Sequence, residues 1–166
     1  MTGFLKFEEI TTGIALRAAM FFLLVATGLC VYQVTTRFFF GHPSTWTEVI
    51  TRAAMIWGVF LGVAPAIREG AMISVEVLQN NLPRKMGIAL HTVASLLTLL
   101  FFCILLWQGY EMIGKVANQR MAALDISMAW AYAALPVGSA FIIIATIGSS
   151  IRALNGGWDE RPEVLQ

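Results

Sequence analysis

Four long apolar runs, separated by short polar breaks, set the plan of the chain. Residues 18–36 carry no formal charge and are bracketed by Arg17 and Arg37. This predicts a membrane helix over residues 14–36, with the two basic side chains reaching the headgroups. Gly41, His42, Pro43 and Ser44 read as a tight turn. A second helix follows over residues 46–67. Its uncharged part, residues 53–67, covers only ~22 Å of a ~30 Å hydrocarbon core at ~1.5 Å per residue. The stretch from Trp46 to Arg52 must therefore be helical as well, which puts Glu48 and Arg52 in or just under one interface. They are four residues apart, so they share a face and can pair.

The third helix is predicted over residues 86–113. His91 is near its start, Gln108 is near the end of the uncharged run, and Glu111 and Lys115 carry the helix on in favourable i,i+4 order. A polar connection with Asn118, Gln119 and Arg120 leads to a fourth helix over residues 126–151, which Asp125 or Ser127 can cap. Trp130 and Tyr132 take the interfacial belt position, and Pro136 and Gly138 fall in the first turns. Arg152, Asn155, Gly156 and Gly157 end the helix, and residues 153–166 form a tail.

Two segments are too short and too polar to cross. After the exit turn of Arg68, Glu69 and Gly70, residues 70–82 place Ala71, Val75, Leu78 and Leu82 on one helical face, with Ile73 and Val77 elsewhere. The amphipathicity is imperfect and fits a short interfacial helix, or one covered on two sides by protein, closed by Pro83, Arg84 and Lys85. Residues 1–13 carry Phe4, Phe7, Ile10 and Ile14 at helical spacing, and they fit a surface helix or a frayed tail equally well. Lys6 is followed by Glu8 and Glu9, and the next apolar run is too long for a signal core, so the first helix is expected to be retained. The fold class is an all-α integral membrane protein with four transmembrane helices and a short interfacial helix between the second and third.

Composition agrees. Of 166 residues only 13% are charged, about half the ~25% of a soluble domain, and the mean hydropathy is +0.74. A net charge of +1 argues against nucleic acid as a partner. Cys30 and Cys103 lie in apolar runs and read as buried packing residues, not as a disulfide or metal pair. With four crossings, Lys6, Arg17, Arg68, Arg84, Lys85, Arg152 and Arg161 fall on one side and Arg37, Lys115 and Arg120 on the other. The positive-inside rule then puts both termini and the interfacial segment in the cytoplasm.

Candidate chemistry is sparse. No phosphate loop, Cys/His metal cluster or nucleophile–base pair is present in the sequence, so neither an enzyme nor a cofactor is expected. His42 and His91 are assigned to opposite sides of the membrane, which counts against bis-histidine haem ligation. Every acid lies at or near a helix end, whereas a self-sufficient proton-coupled transporter usually carries one in mid-membrane. What stands out is a ridge of small residues on the second helix, Ala54, Gly58, Gly62 and Ala66, recurring every four residues beside Trp57. Such a ridge lets another helix approach closely, within the chain or between chains. The chain reads as a scaffold. Its rivals are a redox-complex anchor using His91 and a self-assembling four-helix exporter.

Several residues together carry a family resemblance. They are Glu48 and Arg52; Trp57-x-x-Phe60-Leu61-Gly62; Arg68-x-Gly70-x-x-Ile73-x-Val75-Glu76; Leu82-Pro83; Gln108-Gly109; Leu124-Asp125-Ile126-Ser127; Tyr132; and Leu135-Pro136-x-Gly138. Over residues 14–152 the chain resembles the DctQ-type small membrane subunit of tripartite ATP-independent periplasmic (TRAP) transporters. Met72 departs from the pattern, because members commonly carry histidine there. The resemblance implies residence in a bacterial or archaeal inner membrane, among its lipids. It implies a large DctM-type membrane subunit that holds the substrate and sodium sites, and a DctP-type periplasmic binding protein that delivers an organic anion. The small subunit would be non-catalytic. Its packing residues would be Glu48, Arg52, Ala54, Trp57, Gly58, Gly62 and Ala66. An interfacial group would comprise Arg68, Gly70, Met72, Ile73, Val75, Glu76, Leu82 and Pro83, and the start of the fourth helix Asp125, Ser127, Tyr132, Pro136 and Gly138.

Overall fold

Long apolar runs without period-two alternation can satisfy their backbone groups inside a membrane only as helices. The computed structural model describes residues 2–41, 44–69, 84–121 and 124–154. It contains α1 (Thr2–Phe40), α2 (Thr45–Arg68), α3 (Arg84–Val116), the single turn α4 (Ala129–Tyr132) and α5 (Ala134–Leu154). Four helical stretches are long and apolar enough to cross a membrane. The chain is therefore an all-α membrane protein, with no strand among the described residues. The interfacial helix expected over residues 70–82 lies outside the described residues, as do His42 and the tail beyond residue 154.

Two elements differ from the expectation. Residues 2–13 are neither a separate surface helix nor a frayed tail, because α1 runs unbroken for 39 residues. Phe7, Ile10 and Ile14, the apolar face of the expected surface helix, are all more than half exposed, and Glu8, Thr12 and Ala15 on the opposite face are buried. The fourth helix starts at Ala129, not residue 126, and is interrupted at Ala133. Pro136 has no amide to donate to the Tyr132 carbonyl, so the ladder is open at that turn. Residues 119–121 and 124–128 instead pair across the connection, with an isolated bridge between Arg120 and Ser127. The Met121 amide donates to the Ile126 carbonyl at 2.9 Å, and the Met128 amide donates to Gln119 at 2.8 Å.

The helices pack in the order α1, α2, α5, α3, and α1 also touches α5 over a short length. Among the described residues α1 and α3 do not meet. The result is a curved row of helices in which α2 and α5 are central. Ala15, Ala19 and Leu61 form one buried cluster, and Ala64, Ile67, Ile142 and Ala145 form another; Phe141 packs against both. Small residues dominate because helices in lipid are held by close van der Waals contact, not by escape from water. Cys30 and Cys103 correct another expectation. Both are free and exposed, on α1 and α3, not buried in the packing.

Candidate functional site

The small-residue ridge of α2 is used inside the chain. A Cβ on Gly58 would lie 3.6 Å from the Ala19 carbonyl oxygen and 3.7 Å from Phe22 Cβ, and one on Gly62 would lie 3.9 Å from Ala19 Cβ. Ala54 is buried and Ala66 half-buried. The ridge therefore docks α1 against α2. Trp57 fixes the same contact. Its ring stacks on Phe22 with centroids 5.5 Å apart, and its indole N–H donates to the Trp130 carbonyl at 3.0 Å.

The next contact joins sequence pieces that lie far apart along the chain. A Cβ on Gly138 would fall 2.6 Å from Phe60 Cβ and 3.1 Å from the Phe60 carbonyl oxygen, so α5 approaches the backbone of α2 as only glycine permits. A Cβ on Gly109 would lie 3.0 Å from Pro136 Cδ and 3.2 Å from Leu135 Cβ. Trp57-x-x-Phe60, Gly109 and Leu135-Pro136-x-Gly138 thus form one junction of α2, α3 and α5. Neither capping candidate is the N-cap, which is Met128 with no side-chain cap bond, but Ser127 braces the turn just before it. Its hydroxyl accepts from the Ala129 amide at 3.2 Å and donates to the Ala117 carbonyl at 2.7 Å. Asp125 pairs with Arg120 in the connection instead. Tyr132 is half-buried beside this junction.

Glu48 and Arg52 make the expected pair. An Arg52 Nη2 hydrogen donates to Glu48 Oε1 at 2.8 Å, with side chains 73% and 57% exposed for Arg52 and Glu48 respectively. No other side chain of the described residues shares this pair.

The most buried ion-pair cluster among the described residues was not singled out from the sequence. Glu8 is fully buried where the ends of α1, α2 and α5 converge. Arg152 grips it with both terminal nitrogens, Nη1 to Oε2 at 2.6 Å and Nη2 to Oε1 at 3.2 Å. Such bidentate pairing is the strong form of a charge-assisted bond. Arg68 stands on the other side, with Nε 3.8 Å from Glu8 Oε1 and Nη2 3.3 Å from Glu9 Oε1. The Arg68 Nη1 hydrogen donates to Thr12 Oγ1 at 3.3 Å, and the Thr12 hydroxyl donates to the Glu8 carbonyl at 2.7 Å. Gly148 makes the space, since a Cβ there would lie 2.8 Å from Glu8 Cγ and Cδ. The signal available in the sequence was the spacing of Glu8, Thr12, Ala15, Ala19 and Ala26, which puts small and polar residues on one face of a single long helix.

Arg68 is the one member of the interfacial group that the structure describes. Gly70, Met72, Ile73, Val75, Glu76, Leu82 and Pro83 lie outside the described residues. His91 is half-buried on α3. Among the described residues no three His, Cys, Asp or Glu side chains could hold a metal ion together.

Residues 26–156 match the family described as tripartite ATP-independent periplasmic transporters, DctQ component. The sialic acid TRAP transporter small permease protein SiaQ of Vibrio cholerae is 27% identical over 136 residues, covering 82% of this chain and 75% of that protein. The sialic acid TRAP transporter permease protein SiaT of Haemophilus influenzae is 28% identical over 114 residues, which are 66% of this chain but 18% of that much longer protein. A putative TRAP transporter small permease protein of Haemophilus influenzae is 35% identical over 81 residues, about half of each chain. Neither the family nor these relatives support a redox-complex anchor, and the family is one of transporter components, not of enzymes. The chain belongs to the DctQ family and is a small permease subunit of a TRAP transporter.

Proposed function

We propose that this chain is the non-catalytic scaffold of a sodium-driven importer. In this reading it holds a large DctM-type permease in the bacterial or archaeal inner membrane, and a DctP-type periplasmic protein delivers an organic anion to the pair. The observation that carries the reading is the match to a relative named as a TRAP permease, in which the 114 matched residues are 18% of the whole. A unit of this kind there forms a minor part of a larger permease polypeptide. The described helices are locked to one another by glycine contacts and buried ion pairs, which suits a static support. Sodium coupling belongs to the large subunit, and this chain takes no cofactor. Because two relatives are named for sialic acid, that carboxylate is the first solute to test.

The positive-inside rule puts both termini in the cytoplasm. The Glu8 cluster then lies at the cytoplasmic end of the helices, and the Glu48–Arg52 pair lies near the periplasmic interface. Tagged chain expressed with the neighbouring large permease gene should bring that permease through purification in mild detergent at equal stoichiometry. Recovery of the chain alone, monodisperse and stable, would reject the reading.

A further inference from the structure

The bare faces of the helices are not alike. On α3, Leu96, Leu97, Leu100, Phe101 and Ile104 are all exposed and all apolar, a surface that lipid tails solvate fully. On α2 the residues turned away from both neighbours are Glu48, Arg52, Met55 and Val59. Gly58 and Leu61 face α1, and Phe60 meets Gly138 of α5. The intervals of four, three and four residues put Glu48, Arg52, Met55 and Val59 in one line along the helix. All are exposed, Met55 at 55% and Val59 at 63%.

Glu48 and Arg52 lie about 3 and 9 Å along the axis from Trp46. Their mutual bond uses one carboxylate oxygen and one guanidinium hydrogen, leaving most of the donors and acceptors of both groups unused. Glu48 is close enough to the belt at Trp46 to reach headgroups and water, but Arg52 lies about 9 Å below it, where lipid tails offer its unused donors nothing and leaving them unsatisfied is costly. A protein surface with its own polar side chains can satisfy them, and Met55 and Val59 below give it an apolar strip to pack on. The glycine ridge cannot serve this purpose, because α1 already fills it.

We propose that the Glu48–Arg52–Met55–Val59 line on α2 is the surface on which the large permease subunit sits. The proposal rests on the scaffold reading above, and the relative in which the matched segment is 18% of a longer chain named as a permease points to the occupant.

Photo-crosslinking in membranes that contain both proteins tests it. A photoreactive amino acid placed at Met55 or Val59 of the tagged chain should give an adduct with the summed mass of both subunits. The same probe at Leu97 or Phe101 on α3 should give at least about tenfold less. Arg52→Glu removes the donor and leaves two like charges one turn apart to be covered by the partner without a cation between them, so it should cut permease recovery about tenfold. Its effect on the melting midpoint of the isolated chain should be small, because both residues are exposed. If the permease co-purifies but the adducts form from α3, or from neither site on α2, the line is overturned while the scaffold reading stands. If the permease does not co-purify with the unmodified chain, both are overturned.

Discussion

Glu8→Ala should be the most damaging single truncation in the chain, lowering the unfolding free energy by about 3 kcal/mol. Removing one partner of a buried ion pair costs about 3–5 kcal/mol, and the lower end applies because the Arg152 and Arg68 side chains keep 34% and 32% exposure. The loss comes from two guanidiniums left at a helix junction without their shared carboxylate. Arg152→Ala should cost a similar amount, and Arg68→Ala less, because Arg68 stands farther from Glu8 and also engages Glu9 and Thr12. The Glu8→Ala/Arg152→Ala double variant should be less destabilised than the sum of the singles by about 1–3 kcal/mol, as groups in direct contact couple. Thermal unfolding of the purified chain in detergent, followed by tryptophan fluorescence, measures all four. Additive losses would mean that the pair is not coupled.

Gly138→Ala should cost about 1–3 kcal/mol, the usual penalty for forcing a methyl group into a packed site. The new Cβ would lie 2.6 Å from Phe60 Cβ and 3.1 Å from a backbone oxygen. Neither atom is the free end of a side chain, so α5 must move away from α2. Gly138→Leu should prevent the junction from forming. The contrast is Gly62→Ala, whose Cβ meets only Ala19 Cβ at 3.9 Å. It should be neutral or gain up to about 1 kcal/mol, since alanine is the better helix former. The same unfolding assay separates the two positions, and equal effects would show that the α2–α5 approach is looser than described.

Three crossings were legible because uncharged runs of membrane length admit almost no other structure, and the second because its shorter run needs residues 46–52 in the helix to span the core. The ridge was legible because Ala54, Gly58, Gly62 and Ala66 repeat at a helical interval, but spacing could not say which helix fills it; Ala19 and Phe22 of α1 do. The Trp57–Phe60–Gly109–Pro136–Gly138 junction was visible only as separate pieces of a family pattern. Its unity depends on three helices meeting, which no local periodicity encodes.

Residues 1–13 went astray for a physical reason. The charges at Lys6, Glu8 and Glu9 read as the end of the membrane run, with Phe7 and Ile10 the lipid side of a separate surface helix or part of a frayed tail. In α1 the helix runs straight through, and the small and polar face opposite Phe7 and Ile10 is the packed one. The Glu8 cluster sits on that face. Its partners Arg68 and Arg152 lie at the ends of two other helices, 144 residues away in the case of Arg152, and each reads on its own as an ordinary interfacial cation. Cys30 and Cys103 repeat the lesson, since apolar neighbours in the sequence need not mean burial inside the protein.

The central claim is that this chain supports transport without performing it. Uptake of labelled sialic acid into proteoliposomes holding the large permease, with the binding protein outside and an inward sodium gradient, tests this most directly. The scaffold account predicts uptake when this chain is included, little when it is left out, and none from this chain alone. Equal uptake with and without it, or transport by the chain by itself, would contradict the account.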